Sequence, residues 1–224
     1  MNITHHPDPA TIAAYASGTL DEAFAVLISC HLEICADCRE KYAEATAVGG
    51  ALLETMDDCA PINEGSYGRL LEKISVAGGK KHREGVDSVK CHSEDWSKLP
   101  KALGNYMDRN IDEVDWQRVG PGIWQKNIAL SSGAHSKLRL LRIAKGRQVP
   151  EHGHRGQELT LILQGAYRDE IGHFSAGDVA DLDEDIEHQP LVVSEMDCIC
   201  LAATEAPTRF KSWASRIMQP FVGI

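Results

Sequence analysis

The sequence predicts two domains, a small helical one followed by an all-β one. Three observations lead there. Through about residue 75 the apolar residues recur at helical spacing. Residues 76–90 (VAGGKKHREGVDSVK) are polar, glycine-containing and aperiodic, the texture of a linker or a long exposed loop. From about Trp96 onward, short apolar or alternating runs separated by glycines take over, as in an all-β sandwich or barrel.

In the first part, Asp8 followed by Pro9 predicts an N-cap with proline at the first helical position. Ile12, Ala13, Tyr15 and Ala16 give that helix a short apolar face, and Gly18 is its stop. Residues 20–32 repeat apolar side chains at helical spacing through Leu20, Phe24, Leu27 and Ile28. A third helix is expected over 36–56, with Tyr42, Ala45, Val48, Leu52 and Leu53 on one side. Gly49 and Gly50 weaken its middle by about 1 kcal/mol each relative to alanine. A fourth, short helix is expected over 67–74. Strands are expected over 122–130, 138–144, 158–163, 179–182, 191–194 and 198–203, punctuated by Gly133, Gly146, Gly165, Gly172 and Gly177.

The chain's 224 residues, 43% of them hydrophobic, suffice for globular cores. No apolar run approaches the roughly 20 residues that span a bilayer, so no membrane association is expected. The N-terminus carries neither a basic region nor an apolar stretch, so no secretory signal is read there and a cytoplasmic location is expected. Seven cysteines (30, 35, 38, 59, 91, 198 and 200) form an odd set better suited to metal ligation or free thiols than to a disulfide framework. The net charge of −10 is uneven: residues 1–75 hold four basic and twelve acidic side chains. Such a surface repels phosphate backbones, which disfavours direct nucleic-acid binding, and attracts a basic protein partner.

Two groups of metal-ligating residue types stand far apart in the chain. His31, Cys35 and Cys38 form H-x3-C-x2-C; on a helix these spacings project to one side, and a Cys-x2-Cys pair also suits a turn entering a helix, where the positive helix end favours its thiolates. A tetrahedral zinc site needs four ligands, and His5 or His6 upstream can supply the fourth; spacing alone does not choose between them. Zinc there would fix the packing of helices too short to be stable alone. Cys30 falls on a different helical face and is set aside. In the second half, His152 and His154 are two apart and so face one way on a strand, with Glu158 and His188 as partners. Three imidazoles and a carboxylate suit zinc, iron, manganese, nickel or copper, so the donors do not select the metal. Cys198 and Cys200 alternate along the last expected strand and read as small core residues. His82, His92, His135 and His173 have no partner spacing and read as ordinary surface residues. The tail, 207–224, is read as closing the barrel or meeting another chain.

Gly146, His152, His154, Glu158 and Gly165 satisfy G-x5-H-x-H-x3-E-x6-G in every spacing, and here the sequence resembles the cupin family. The second cupin motif is partly met: Gly177 and His188 match, whereas Asp183, Asp185 and Val192 depart from it. The resemblance implies a cupin (double-stranded β-helix) barrel. A helical H-x3-C-x2-C domain followed by a cupin resembles, over nearly the whole chain, the ChrR family of anti-sigma factors. That resemblance implies His6, His31, Cys35 and Cys38 as zinc ligands and His152, His154, Glu158 and His188 as ligands of zinc or another divalent transition metal. It implies a helical anti-sigma domain over 1–78, a linker over 79–93 and a cupin domain with its tail over 94–224. The first would hold an extracytoplasmic-function sigma factor, and the second would release it under oxidative stress of the singlet-oxygen type. No catalytic residue and no organic cofactor is expected. The competing expectation is a metal-dependent cupin enzyme, of dioxygenase type, with a helical regulatory domain.

Overall fold

The structure, a computed structural model, describes residues 2–56, 63, 65–76, 99–153, 155–206 and 209–210. Outside the described residues lie the expected linker 79–93, Cys59, Cys91, His82, His92, His154 and most of the tail.

Four α-helices come first. Helix α1 (Pro9–Ala16) starts as expected: the Asp8 side chain accepts from the Ala10 N–H, and Pro9 opens the first turn. Gly18 then takes φ +71°, the left-handed turn that ends the segment. Helix α2 (Glu22–Ile34) is the most buried of the four. It breaks at Cys35, whose backbone is extended (φ −99°, ψ 113°), and α3 (Ala36–Glu54) begins one residue later. His31 and Cys35 therefore do not share one continuous helix; Cys35 is instead the N-cap of α3, its Sγ accepting from the Cys38 N–H. Helix α4 (Ser66–Val76) completes the set.

Residues 99–116, expected to belong to the β-rich part, instead form two 3-10 turns, Lys101–Asn105, which packs against α2, and Ile111–Glu113. The reason is local. The Glu33 carboxylate caps the Lys101 and Ala102 N–H groups (2.9 and 2.6 Å), and Leu99 and Leu103 bury completely beneath α2.

Twelve strands follow among the described residues: β1 (Gln117–Gly120), β2 (Ile123–Ile128), β3 (Lys137–Ile143), β4 (His152–Gly153), β5 (Glu158–Gln164), β6 (Ala166–Arg168), β7 (His173–Ser175), β8 (Val179–Leu182), β9 (Glu187–His188), β10 (Leu191–Val192), β11 (Cys198–Thr204) and β12 (Arg209–Phe210). A six-stranded sheet runs β1-β2-β3-β11-β5-β8, and two three-stranded sheets run β10-β6-β7 and β12-β4-β9. The short strands β1, β6, β7 and β12 were not anticipated, because runs of two to four residues carry no periodic signal.

The large sheet is apolar on both faces, which is why β5 and β11 read as continuous hydrophobic runs. Inward, Ile143, Ile162, Ala180, Leu182, Cys198 and Cys200 pack with Tyr167 and Phe174. Outward, Leu138, Leu140, Leu159, Leu161, Val179, Ile199 and Leu201 meet Phe24, Leu27 and Ile28 of α2. One core thus spans helix and sheet, each buried leucine contributing roughly 1.5–3 kcal/mol. Polar clamps hold the same contact. Asp21 accepts from the His135 and Ser136 N–H groups and from the Ser136 hydroxyl. Glu22 accepts from Ser131 and from the Tyr106 hydroxyl.

Candidate metal centres

The break at Cys35 builds the first centre. It turns the chain so that Cys35 and Cys38, on the first turn of α3, face the last turn of α2, where His31 sits fully buried. Residues before α1 bring in His6, whose Nδ1 lies 3.4 Å from Cys35 Sγ and 3.3 Å from Cys38 Sγ. The donor atoms of His6, His31, Cys35 and Cys38 lie within 4.8 Å of one another. His31 shows the fit most directly. Its Nδ1 donates to the Gly177 carbonyl (3.1 Å), so its Nε2 carries the lone pair, and that buried nitrogen has no hydrogen-bond partner. Burial, and then His6 beside it, hold His31 down to about 4, so its ring is neutral. Burial, and then Cys35, push the Cys38 thiol up to about 12, so its deprotonation needs a cation at this spot. Two thiols and two imidazoles converging on one point are the donor set of a structural zinc site.

His5 goes elsewhere. Its ring stacks on Phe174 (centroids 4.4 Å apart), its carbonyl accepts from the Val179 N–H (3.1 Å), and its N–H donates to Asp178 Oδ1 (3.0 Å). Asp178 has a fully buried side chain and also accepts from the Thr4 N–H (2.7 Å) and from Ser175. Burial alone would raise this carboxyl, but the hydrogen bonds from Ser175, His5 and Thr4 hold it below the usual carboxylate range.

The second centre lies inside the barrel. Strands β4 and β9 pair antiparallel with His152 opposite His188, and their Nε2 atoms approach to 3.1 Å. Each Nδ1 meets an acceptor: His152 Nδ1 donates to the Pro150 carbonyl (2.9 Å), His188 Nδ1 to Asp169 Oδ2 (2.8 Å). Both Nε2 lone pairs consequently face each other, an arrangement that a shared cation satisfies. Glu158 of β5 completes a group whose donor atoms lie within 4.8 Å, all buried. The Thr160 hydroxyl donates to Glu158 Oε1 (3.3 Å), and buried Arg139 lies near enough for Glu158 to oppose the lowering that burial imposes on its guanidinium. Cys198 and Cys200 point into the same barrel as core residues, both thiols raised by burial. His135 and His173 are exposed.

Three participants were missed in the sequence: Asp169, Asp178 and the Gly177 carbonyl. Asp169 and Asp178 look like two more surface acids in an acidic chain, and a backbone carbonyl has no signature. The turn pattern Asp169–Gly172 was the one available hint.

Fold and sites together define a cupin protein carrying a helical His/Cys cluster at its N-terminus. A family model for the ChrR cupin-like domain matches residues 107–207. The anti-sigma-E factor ChrR of Cereibacter sphaeroides is 40% identical over 226 residues, covering all of both chains. A crystal structure of Rhodobacter sphaeroides SigE in complex with the anti-sigma ChrR is similar at TM-score 0.75 and 38% identity, over 91% of this chain and 99% of that one. This chain belongs to the ChrR family of anti-sigma factors. No helix among the described residues is long and apolar enough to cross a membrane.

Proposed function

We propose that this chain holds an extracytoplasmic-function sigma factor through its helical domain, residues 1–78, and releases it when the cupin domain, residues 94–224, responds to oxidative stress of the singlet-oxygen type. One observation carries the first half. While α1, α2 and the start of α3 pack together or on the barrel, the far half of α3 and all of α4 leave large apolar side chains in solvent. Val48, Leu52 and Leu53 are 61–70% exposed, and Tyr67, Leu70, Leu71 and Ile74 recur at helical spacing at 48–70%. Such a surface is what a protein partner covers. The relative crystallised with SigE supports the partner's class.

In this reading His6, His31, Cys35 and Cys38 hold zinc, which joins the N-terminal segment, α2 and α3. His152, His154, Glu158 and His188 hold a divalent transition metal in the barrel, where it would supply an oxidant-responsive centre. The chain's own residues supply the connection. Gly177 and Asp178, at the β7–β8 corner of the barrel, hydrogen-bond to His31 and His5. Displacing that corner would disturb the helical cluster without any intermediary. The full-length likeness to an anti-sigma factor supports a regulatory rather than a catalytic role, in the cytoplasm where a sigma factor works.

The test is co-purification with an extracytoplasmic-function sigma factor, comparing wild type with Leu70→Asp/Ile74→Asp. A stoichiometric complex lost in the variant supports the proposal. No complex with wild type, across the sigma factors of the source cell, sinks it.

A further inference from the structure

The barrel centre has a carboxylate behind it that no ligand motif includes. Asp169 sits at the end of β6, in the turn to β7, with its side chain fully buried. Its two oxygens have separate tasks. Oδ1 accepts from the Ile171 and Gly172 N–H groups (3.0 and 3.1 Å) and so closes the turn. Oδ2 accepts from His188 Nδ1 (2.8 Å). The turn is tied a second time by the Asp169 N–H to the Gly172 carbonyl (3.0 Å), so the carboxylate is held in place before His188 meets it.

We propose that Asp169 is the positioning residue for His188: it fixes the ring's orientation and keeps the hydrogen on Nδ1, which leaves the Nε2 lone pair to the metal. This rests on the reading of His152, His154, Glu158 and His188 as metal ligands. The geometry argues for it beyond a packing role. A turn needs only Oδ1, whereas Oδ2 points into the barrel at the one ring nitrogen that must carry hydrogen if the other is to ligate. The Nε2 of His188 accordingly lies 3.1 Å from the Nε2 of His152.

Asp169→Asn separates the two tasks. The amide oxygen can continue to accept from Ile171 and Gly172, while the amide NH2 replaces Oδ2 and offers hydrogen to His188 Nδ1. The ring then favours its other tautomer, with hydrogen on Nε2. Full-length wild type, Asp169→Asn and His188→Ala are loaded with zinc(II), and metal per chain is followed against a competing chelator. The His188 tautomer is read by 15N NMR of histidine-labelled wild type and Asp169→Asn, with His188→Ala assigning the signal. Two zinc ions per wild-type chain are expected, with the barrel ion bound about 10- to 100-fold more weakly in Asp169→Asn and the helical ion unchanged. Wild-type His188 is expected to carry hydrogen on Nδ1. Wild-type affinity at the barrel site of Asp169→Asn, or hydrogen on Nε2 of wild-type His188, overturns the proposal; the second measurement stands even if the variant does not fold. If His188→Ala itself keeps both ions, the metal reading of the barrel falls and takes this inference with it.

Discussion

His31, on the last turn of α2, donates from Nδ1 to the carbonyl of Gly177 at 3.1 Å, across 146 positions of sequence. Gly177 has φ +96°, a conformation other residues rarely adopt, and it lies where the chain turns from β7 to β8. The helical cluster is therefore oriented by the barrel's backbone, and its free nitrogen faces His6, Cys35 and Cys38 because the other is occupied. Asp178, the next residue, fixes the segment that delivers His6.

Exchange of the two adjacent histidines separates their roles. His6→Ala is expected to lose the helical-site zinc, as are Cys35→Ser and Cys38→Ser, with the midpoint of thermal unfolding falling in parallel, since metal binding there is also folding energy. His5→Ala keeps that zinc and costs about 1 kcal/mol, for the lost packing on Phe174. Metal content and calorimetry of the four variants check this. A zinc-replete His6→Ala would remove His6 from the ligand set.

The exposed face of α3 and α4 is expected to bind without stabilising the free chain. Leu70→Asp/Ile74→Asp changes the stability of the isolated protein by less than about 0.5 kcal/mol per site, because both residues are already in solvent. The same pair weakens the sigma-factor complex by about 2–4 kcal/mol, roughly 30- to 700-fold in Kd. Titration calorimetry measures the second quantity and denaturant unfolding the first.

Asp178→Ala removes the acceptor for Thr4, His5 and Ser175 in one step. Partly buried N–H groups are left unpaired, so a loss of about 1–3 kcal/mol is expected. The functional consequence is kinetic: His6 is no longer held at the cluster, and zinc passes to a chelator faster than from wild type. Equal transfer rates would show that Asp178 does not hold the ligand segment.

Acid is expected to weaken the metal-free protein over a defined window. An unfolded histidine titrates near 6.5 and buried His31 at about 4, so its folded value is depressed. The unfolded chain then binds more protons below about 6.5, and stability present above that pH is lost as pH falls toward 4. The loss is on the order of 3 kcal/mol. Denaturant midpoints of chelator-treated protein at pH 7.5, 6, 5 and 4.5 follow it; a flat profile would mean that His31 is solvated in the metal-free state.

Much of this protein is legible locally. The Asp8–Pro9 start, the apolar spacing of α2 and the apolar runs of β5, β8 and β11 each express backbone preferences confined to a few residues, and they form as read. The two groups of ligand-type residues are visible for the same reason: spacing along one element decides which side chains share a face. The break between α2 and α3 was legible too, since one apolar pattern ends at Leu32 and the next segment opens at Ala36; that Cys35 itself caps α3 was not. Nor was the role of residues 99–116, whose apolar positions fit β texture until Glu33 and α2 are placed beside them.

The sequence by itself determined the helical-then-β order, the cupin spacing from Gly146 to Gly165 and both groups of ligand-type residues. Only the tertiary structure decided that His6, not His5, meets Cys35 and Cys38, that Asp169 stands behind His188, and that Gly177 orients His31. Those pairings join residues 19 to 146 positions apart, and such contacts arise from packing of whole elements. No local propensity encodes which carbonyl or carboxylate will face a given ring once the sheet has closed over α2.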